Sequence, residues 1–442
     1  MNDKSPVSLD LNRRRFLQFS TGAGAAALLA SSGLTANTID TRARIVIIGA
    51  GAGGMAVANR LSRRLNGASI TVVEARETHH YQPGWTLVAS GVWKPEKTVR
   101  PNSQFMPGNV DWIRSSATAL DPDNRTVALA NGETLSYDYL VVATGIQLNY
   151  EEIEGMSADL VGQHGIGSVY ASLEGATRTR DLIDQWIARG QGQGIFVHAP
   201  TPVKCAGAPL KMTLTTLSRL EATGNRDQFQ VDFFSPGGGV FSQPWVNDFV
   251  IQRFAEQGVN RHSFHTLTAI QPQDRTATFT LGDGSTVTRD YDFIHVVPPM
   301  SAPDAVRNSA LVNEEGRFGG NWLDVDMYTM QHNRYPEVFG IGDVIGAPIN
   351  KTAASVKAQA PIVEANLIAA IQNQPLPRKH NGYTSCPLIT GIGKAMPVEF
   401  GYDMEFLPSF PFIDPKEESW ATWTFKDRML QPAYYAVLEG RA

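Results

Sequence analysis

Cysteine is nearly missing from this chain of 442 residues, which holds two, Cys205 and Cys386. Lying so far apart, they leave no CxxC pair and no spacing that would hold zinc. Charge is also sparse. Asp, Glu, Lys and Arg make up 18% of the sequence and the formal net charge is −5, which gives neither a footprint for nucleic acid nor an acidic tail. A convincing membrane span is missing too. The apolar run at residues 19–36 is too rich in Gly, Ala and Ser, whereas a span needs about 20 predominantly apolar residues. What is present is 42% hydrophobic residues, with 40 Gly and 26 Pro. That describes a soluble-type globular protein of two or three domains with many turns.

The first 40 residues read as an address rather than as fold. Asn12-Arg13-Arg14-Arg15-Phe16-Leu17-Gln18 resembles the twin-arginine export signal. The mild apolar run after it completes a signal peptide with predicted cleavage after Ala36. That route carries folded proteins, so it suits a chain that acquires a cofactor before export. The destination would be the bacterial periplasm, where a disulfide persists.

A β-branched run opens residues 44–61 and a helical pattern closes them, with Gly49-x-Gly51-x-x-Gly54 between. The first glycine permits a tight turn, the second lets backbone approach a pyrophosphate, and the third lets helix and strand pack closely. The helix N-terminus then offers unpaired N–H groups to the phosphates. A second strand, residues 70–75, carries Glu74 about 20 residues on, where an acidic side chain binds ribose hydroxyls. Pro83-Gly84 in HHYQPGW marks a turn among aromatic-type side chains that fill a core by default. A buried strand at 139–143 runs into Thr144-Gly145. This ATG ending, downstream of a first Rossmann unit, is a second mark of a flavoprotein with two dinucleotide folds.

The expected fold is α/β, with two Rossmann-like domains as in glutathione-reductase-like flavoproteins. Residues 41–150 form the first part of the FAD-binding domain and 151–289 the second Rossmann-like domain. Residues 290–375 return to the FAD domain, and 376–442 form a C-terminal segment. In the second domain a helix near 172–189 precedes a strand at 194–198. A pyridine-nucleotide enzyme would place another glycine fingerprint after that strand. Here the strand leads into APTPVKCAGAP, where three prolines crowd the turn and Cys205 occupies the region. The missing cradle argues against NAD(P)H as electron donor. Farther on, residues 335–343 read as a strand followed by a turn, in which Gly342 permits close approach and Asp343 accepts a ribityl hydroxyl. Lys351 then sits at the start of a helix over 352–372, facing either solvent or a flavin that is negative when reduced.

The C-terminal end is rich in aromatic and basic residues, with Trp420, Trp423, Phe425, Tyr434 and Tyr435 among Lys416, Lys426 and Arg428. An amphipathic surface of this kind lies in a membrane interface. A covered core, or a contact in a homo-oligomer, gives a similar pattern.

TPVKCAGAP, HVVPPM, INKTAASV and YTSCPLITG, together with the fingerprint and the GIGD turn, resemble sulfide:quinone oxidoreductase. The likeness is to the branch that includes the mitochondrial enzymes and covers residues 44–425. It implies FAD, sulfide as donor and a membrane quinone as acceptor. Carried across residue by residue, it makes Cys205 and Cys386 the redox pair. Its FAD contacts fall on Gly53, Gly54, Glu74, Gln82, Ala117, Asp343, Lys351, Thr352, Ala353 and Ala354. Some relatives tether FAD to a cysteine near the HHYQPGW segment; none stands there, so FAD should be non-covalent. The resemblance further implies that hydrosulfide attacks a disulfide or trisulfide, Cys386 keeps the new sulfur and Cys205 leaves as a thiolate. The sulfane sulfur would then pass to a small thiol, sulfite or sulfide. Three other readings stay open: the flavoprotein subunit of a flavocytochrome c sulfide dehydrogenase, an NADH:quinone oxidoreductase, and a non-catalytic FAD-bound carrier of sulfane sulfur.

Overall fold

A computed structural model describes residues 38–410 and 413–442. The expected export signal falls on residues outside those described, apart from its last few positions. Ten strands carry the architecture. They are β1 Arg44–Ile48, β2 Ser69–Val73, β3 Asp111–Ile113, β4 Tyr139–Val142, β5 Ile166–Gly167, β6 Gly192–Val197, β7 Phe229–Ser235, β8 Val259–Ser263, β9 Phe293–His295 and β10 Val338–Gly340. They pair as two parallel five-stranded sheets, in the orders β10-β4-β1-β2-β3 and β5-β9-β6-β7-β8. Parallel sheets are covered on both faces, which is why β1, β4 and β6 read as continuous apolar runs.

The helices include α1 Ala52–Arg64, α2 Leu173–Ala188, α3 Ala208–Ala222, α4 Ala353–Ile371, α5 Trp420–Thr424 and α6 Leu430–Leu438. Helices α1 and α4 pack against each other on the first sheet. Their shared core includes Met55, Leu61, Val363 and Leu367, all fully buried. Helix α3 is buried nearly all round, as expected of a helix held between a sheet and another layer. Between α5 and α6 the chain widens into one π-helical turn, Phe425–Met429, a form that concentrates at functional sites.

The expected return to the first domain at residue 290 shifts. Phe293–His295 pairs with both β6 and β5, so it is an interior strand of the second sheet. The chain crosses back only after it. Much of the aromatic C-terminal end is turned inward. Trp423, Val437 and Leu438 are buried. Tyr434 meets Tyr81 edge-on and Tyr435 stacks on Phe105. Burying these rings stabilises more than exposing them, and the segment is fastened down by polar bonds. The Asn59 amide of α1 donates to the carbonyls of Phe105 and Leu438, and Arg63 donates to those of Glu439 and Gly440. Among the large apolar side chains of residues 420–442 Met429 is the exposed one, at 38%. Among the described residues no helix is long and apolar enough to cross a membrane.

Candidate active site

The turn after β1 is built as its glycines require. Gly49 adopts φ +97°, and a Cβ there would come within 2.5 Å of the Ala143 carbonyl oxygen. A Cβ on Gly54 would stand 1.8 Å from the Gly49 oxygen, so α1 and β1 approach at a distance only glycine allows. Gly51 is the opposite case: nothing lies within 4 Å of the position a Cβ would take. Its backbone faces a cavity of about 380 Å³ that runs on to both cysteines.

That cavity gathers most of the expected contacts. Gly51, Gly53, Gln82, Gly342, Asp343, Lys351, Thr352, Ala353 and Ala354 line it together with Cys205 and Cys386. Gly49 and Gly54 lie behind the wall as packing positions. The Glu74 carboxylate is held by the backbone N–H groups of Ala50 and Arg76 and by the Arg76 guanidinium. Burial pushes this carboxyl up, but the Arg76 and backbone bonds outweigh it and hold it low. Ala117 belongs to a separate three-stranded sheet and does not line the cavity. His198, seven residues before Cys205, has its Nδ1 against the Ala199 carbonyl. Lys351 lines the cavity, yet its ammonium donates to the Asp343 and Ile345 carbonyls and sits 3.8 Å over the Trp322 ring. Burial pushes it down to about 7.

The residues fit a flavin dinucleotide. The open space at Gly51 is where a pyrophosphate would lie against the start of α1, which has no side-chain cap. The Thr144 hydroxyl, on the cavity wall, is buried without a partner.

At the far end the two sulfurs stand 3.1 Å apart. Cys205 holds a left-handed backbone, φ +53°, a costly conformation for a side-chain-bearing residue. It is held there by bonds on both sides. Its N–H donates to the Lys351 carbonyl, and its own carbonyl accepts from Ala208 at the start of α3. Cys386 is placed by a short strand pair, Thr384–Ser385 with Glu399–Phe400, and by its N–H bond to Val398.

Neither Lys211 nor Lys426 was singled out as a site residue by sequence reasoning. The Lys211 ammonium, buried on α3, donates to Cys386 at 2.9 Å and to Cys205 at 3.3 Å. The Lys426 ammonium, buried in the π-helical turn, donates to the Pro83 carbonyl and lines the same cavity. Tyr170 lines the same cavity. The Cys386 S–H, then the Lys211 charge and Tyr170, hold the Cys205 thiol well below its usual range against the opposing effect of burial. Cys386 is pushed up by its bond to Cys205 and by burial. Both directions make Cys205 the better leaving group of the pair.

Residues 43–182 match a family model described as pyridine nucleotide-disulphide oxidoreductase. The Mus musculus protein named sulfide:quinone oxidoreductase, mitochondrial, is 36% identical over 375 residues, covering 84% of this chain and 81% of its own length. The chain belongs to the sulfide:quinone oxidoreductase family. A Dictyostelium discoideum sulfide:quinone oxidoreductase, also named mitochondrial, is 36% identical over 90% of this chain and 86% of its own. The solved sulfide:quinone oxidoreductase of Aquifex aeolicus shares the fold, with a TM-score of 0.69 at 23% identity over 90% of this chain and 92% of that one.

Proposed function

We propose that the protein oxidises sulfide to sulfane sulfur at Cys205 and Cys386, with non-covalent FAD carrying the electrons onward to a membrane quinone. The observation that carries this is the pair of sulfurs, 3.1 Å apart under one buried ammonium, in the wall of the cavity that begins at Gly51. A single sulfur joined to both cysteines by bonds of about 2.05 Å spans roughly 3.3 Å, so the spacing also suits a one-sulfur bridge.

Hydrosulfide attacks the sulfur on the Cys386 side of the bridge. The new S–S bond forms there, the old one breaks, and its electron pair leaves on Cys205 as a thiolate. The Lys211 ammonium and the Tyr170 hydroxyl stabilise that charge as it appears. When bound, FAD supplies a two-electron acceptor beside Cys205 and a donor to quinone. A small thiol, sulfite or sulfide then takes the sulfane sulfur and leaves Cys386 as a thiolate, and bond formation between the Cys386 and Cys205 sulfurs restores the bridge and releases the two electrons that bound FAD would accept.

Phe410, Phe425, Leu430 and the exposed Met429 line the cavity. This apolar edge supports quinone entry and a peripheral seat on a membrane surface. Asn12 to Gln18 supports export by the twin-arginine route to the periplasm, although two of the similar proteins carry names that place them in mitochondria.

The test is an anaerobic titration of the purified protein with sulfide, following the visible flavin bands, with NADH in parallel and a short-chain quinone added last. Sulfide should bleach the flavin, NADH should not, and quinone should restore the colour. A flavin that stays oxidised under excess sulfide overturns the proposal. Cys205→Ser and Cys386→Ser should each keep FAD and lose the bleaching.

A further inference from the structure

The part of the cavity wall that α6 supplies carries a fixed hydrogen-bond direction. Tyr434 lines the cavity with His79, Asn102, Arg76 and Asp343. His79 and Asn102 are buried. The Asn102 amide nitrogen donates to the Arg76 carbonyl at 2.7 Å, so its oxygen is the atom turned to His79 Nδ1, 3.1 Å away. An amide oxygen only accepts, so the proton of the neutral ring stands on Nδ1. Burial, helped by the Arg76 charge, pushes His79 down to about 4, which leaves the ring neutral at neutral pH. Nε2 is therefore bare, and the Tyr434 hydroxyl 2.8 Å away donates to it. Burial pushes the phenol up, so that proton stays on the oxygen.

The consequence falls on the other side of the tyrosine. A hydroxyl has one proton and two lone pairs. With the proton committed to His79, Tyr434 Oη offers the cavity lone pairs alone, and among the described residues no group donates to them. A carbonyl, a quinone oxygen or an ionised phosphate oxygen brings only an acceptor and cannot bond there. A sugar hydroxyl brings a donor. The charges of Asp343 and Arg76 both reach the phenol, so Tyr434 stands between the expected ribityl partner and the guanidinium that holds Glu74.

We propose that Tyr434 is a cofactor-binding residue whose hydroxyl oxygen accepts a hydrogen bond from one sugar hydroxyl of bound FAD, with His79 and Asn102 as the positioning residues that aim it. The inference rests on FAD filling this cavity, as proposed above, and on none of the sulfide chemistry. It makes α6 part of the cofactor site, so that the C-terminal segment and the first Rossmann unit grip the dinucleotide together. It also selects by hydrogen-bond direction, admitting a donor and refusing an acceptor.

The test is competitive exchange on the full-length holoprotein. Bound FAD is challenged with analogues that each lack one hydroxyl, either of the ribityl chain or of the ribose, and the ratio retained gives relative affinity. Each analogue loses whatever its missing hydroxyl contributes. For one of them the loss should shrink by about fivefold to tenfold in Tyr434→Phe, the worth of one neutral hydrogen bond. Which analogue responds says whether the donor is on the ribityl chain or on the ribose. A helix merely loosened by the variant weakens FAD and every analogue alike, so relative affinities that match the wild type throughout overturn the proposal. A neutron structure of the wild-type holoprotein needs no variant, so a Tyr434→Phe chain that fails to fold leaves the test intact. It should show a deuteron on His79 Nδ1, none on Nε2, and an FAD hydroxyl within hydrogen-bond reach of Tyr434 Oη. A deuteron on Nε2, or a phosphate or carbonyl oxygen in that place, overturns the proposal. If sulfide bleaches the flavin and no analogue responds, the role of Tyr434 falls and the oxidoreductase reading stands. If sulfide does not bleach the flavin, that reading falls, and the exchange still decides Tyr434.

Discussion

Replacing Lys211 by Met keeps the length and apolar stem of the side chain and removes one charge from between the two sulfurs. The ammonium lies 3.3 Å from Cys205 Sγ and 2.9 Å from Cys386 Sγ. At an effective dielectric of about 20, unit charges at the longer distance attract by ~5 kcal/mol. That corresponds to more than three units of thiol pKa at about 1.36 kcal/mol per unit. Relaxation, and the donors that remain on Cys386 and Tyr170, return part of this, so the expected rise is two units or more. The sign follows from the charge. Lys211 favours the thiolate and lowers the Cys205 pKa, so its loss raises it and removes the thiolate as pH falls toward neutrality. The assay is the rate of iodoacetamide alkylation of the reduced FAD-bound protein across pH, with peptide mapping to separate the chain's two cysteines. Wild-type Cys205 should stay reactive below the ordinary thiol range, whereas Lys211→Met should be about a hundredfold slower at neutral pH. Lys211→Arg should recover most of the loss. A shift below half a unit would refute the assignment of the thiolate to Lys211.

The dinucleotide end and the C-terminal fastening each give a further expected outcome. Gly51→Val should leave the fold intact, because nothing crowds the added side chain and the backbone φ of −69° suits any residue; the branched group would instead occupy the phosphate cradle. FAD affinity should fall at least tenfold while the melting temperature of the apoprotein hardly moves. Asn59→Ala should leave the buried Phe105 and Leu438 carbonyls without their donor and cost about 1–3 kcal/mol. Thermal melting should detect that loss, and limited proteolysis should cut within the 420–442 segment sooner than in the wild type.

The first dinucleotide unit was legible because its signals are local. The apolar run, the glycine spacing and Glu74 lie close together in sequence, and each constrains backbone within a few residues. The cysteine pair was legible by resemblance, and by Cys205 standing where a second fingerprint would be. Lys211 was not, because a lysine six residues beyond a cysteine ordinarily reaches solvent. The signal lay in its surroundings, a helix with almost no other charge around it in PLKMTLTTL, which marks a helix buried all round. The aromatic period of the C-terminal end was readable, but periodicity does not say which way a face turns. Tyr434 turns inward because a cavity wall and Tyr81 are there to receive it, and Tyr81 lies far back in the sequence. The boundary at 290 was misplaced for a related reason. Phe293–His295 is three residues long, and so short a run carries no mark of the sheet it joins.

The bond from the Cys205 N–H to the Lys351 carbonyl crosses from the second Rossmann unit to the loop that begins α4 of the first. That bond makes Lys204 and Lys351 partners in an isolated parallel bridge. The sulfur loop is therefore sewn by main chain to the loop that borders the flavin cavity. Side-chain replacement cannot unpick that seam, and the two units cannot swing apart there without breaking it.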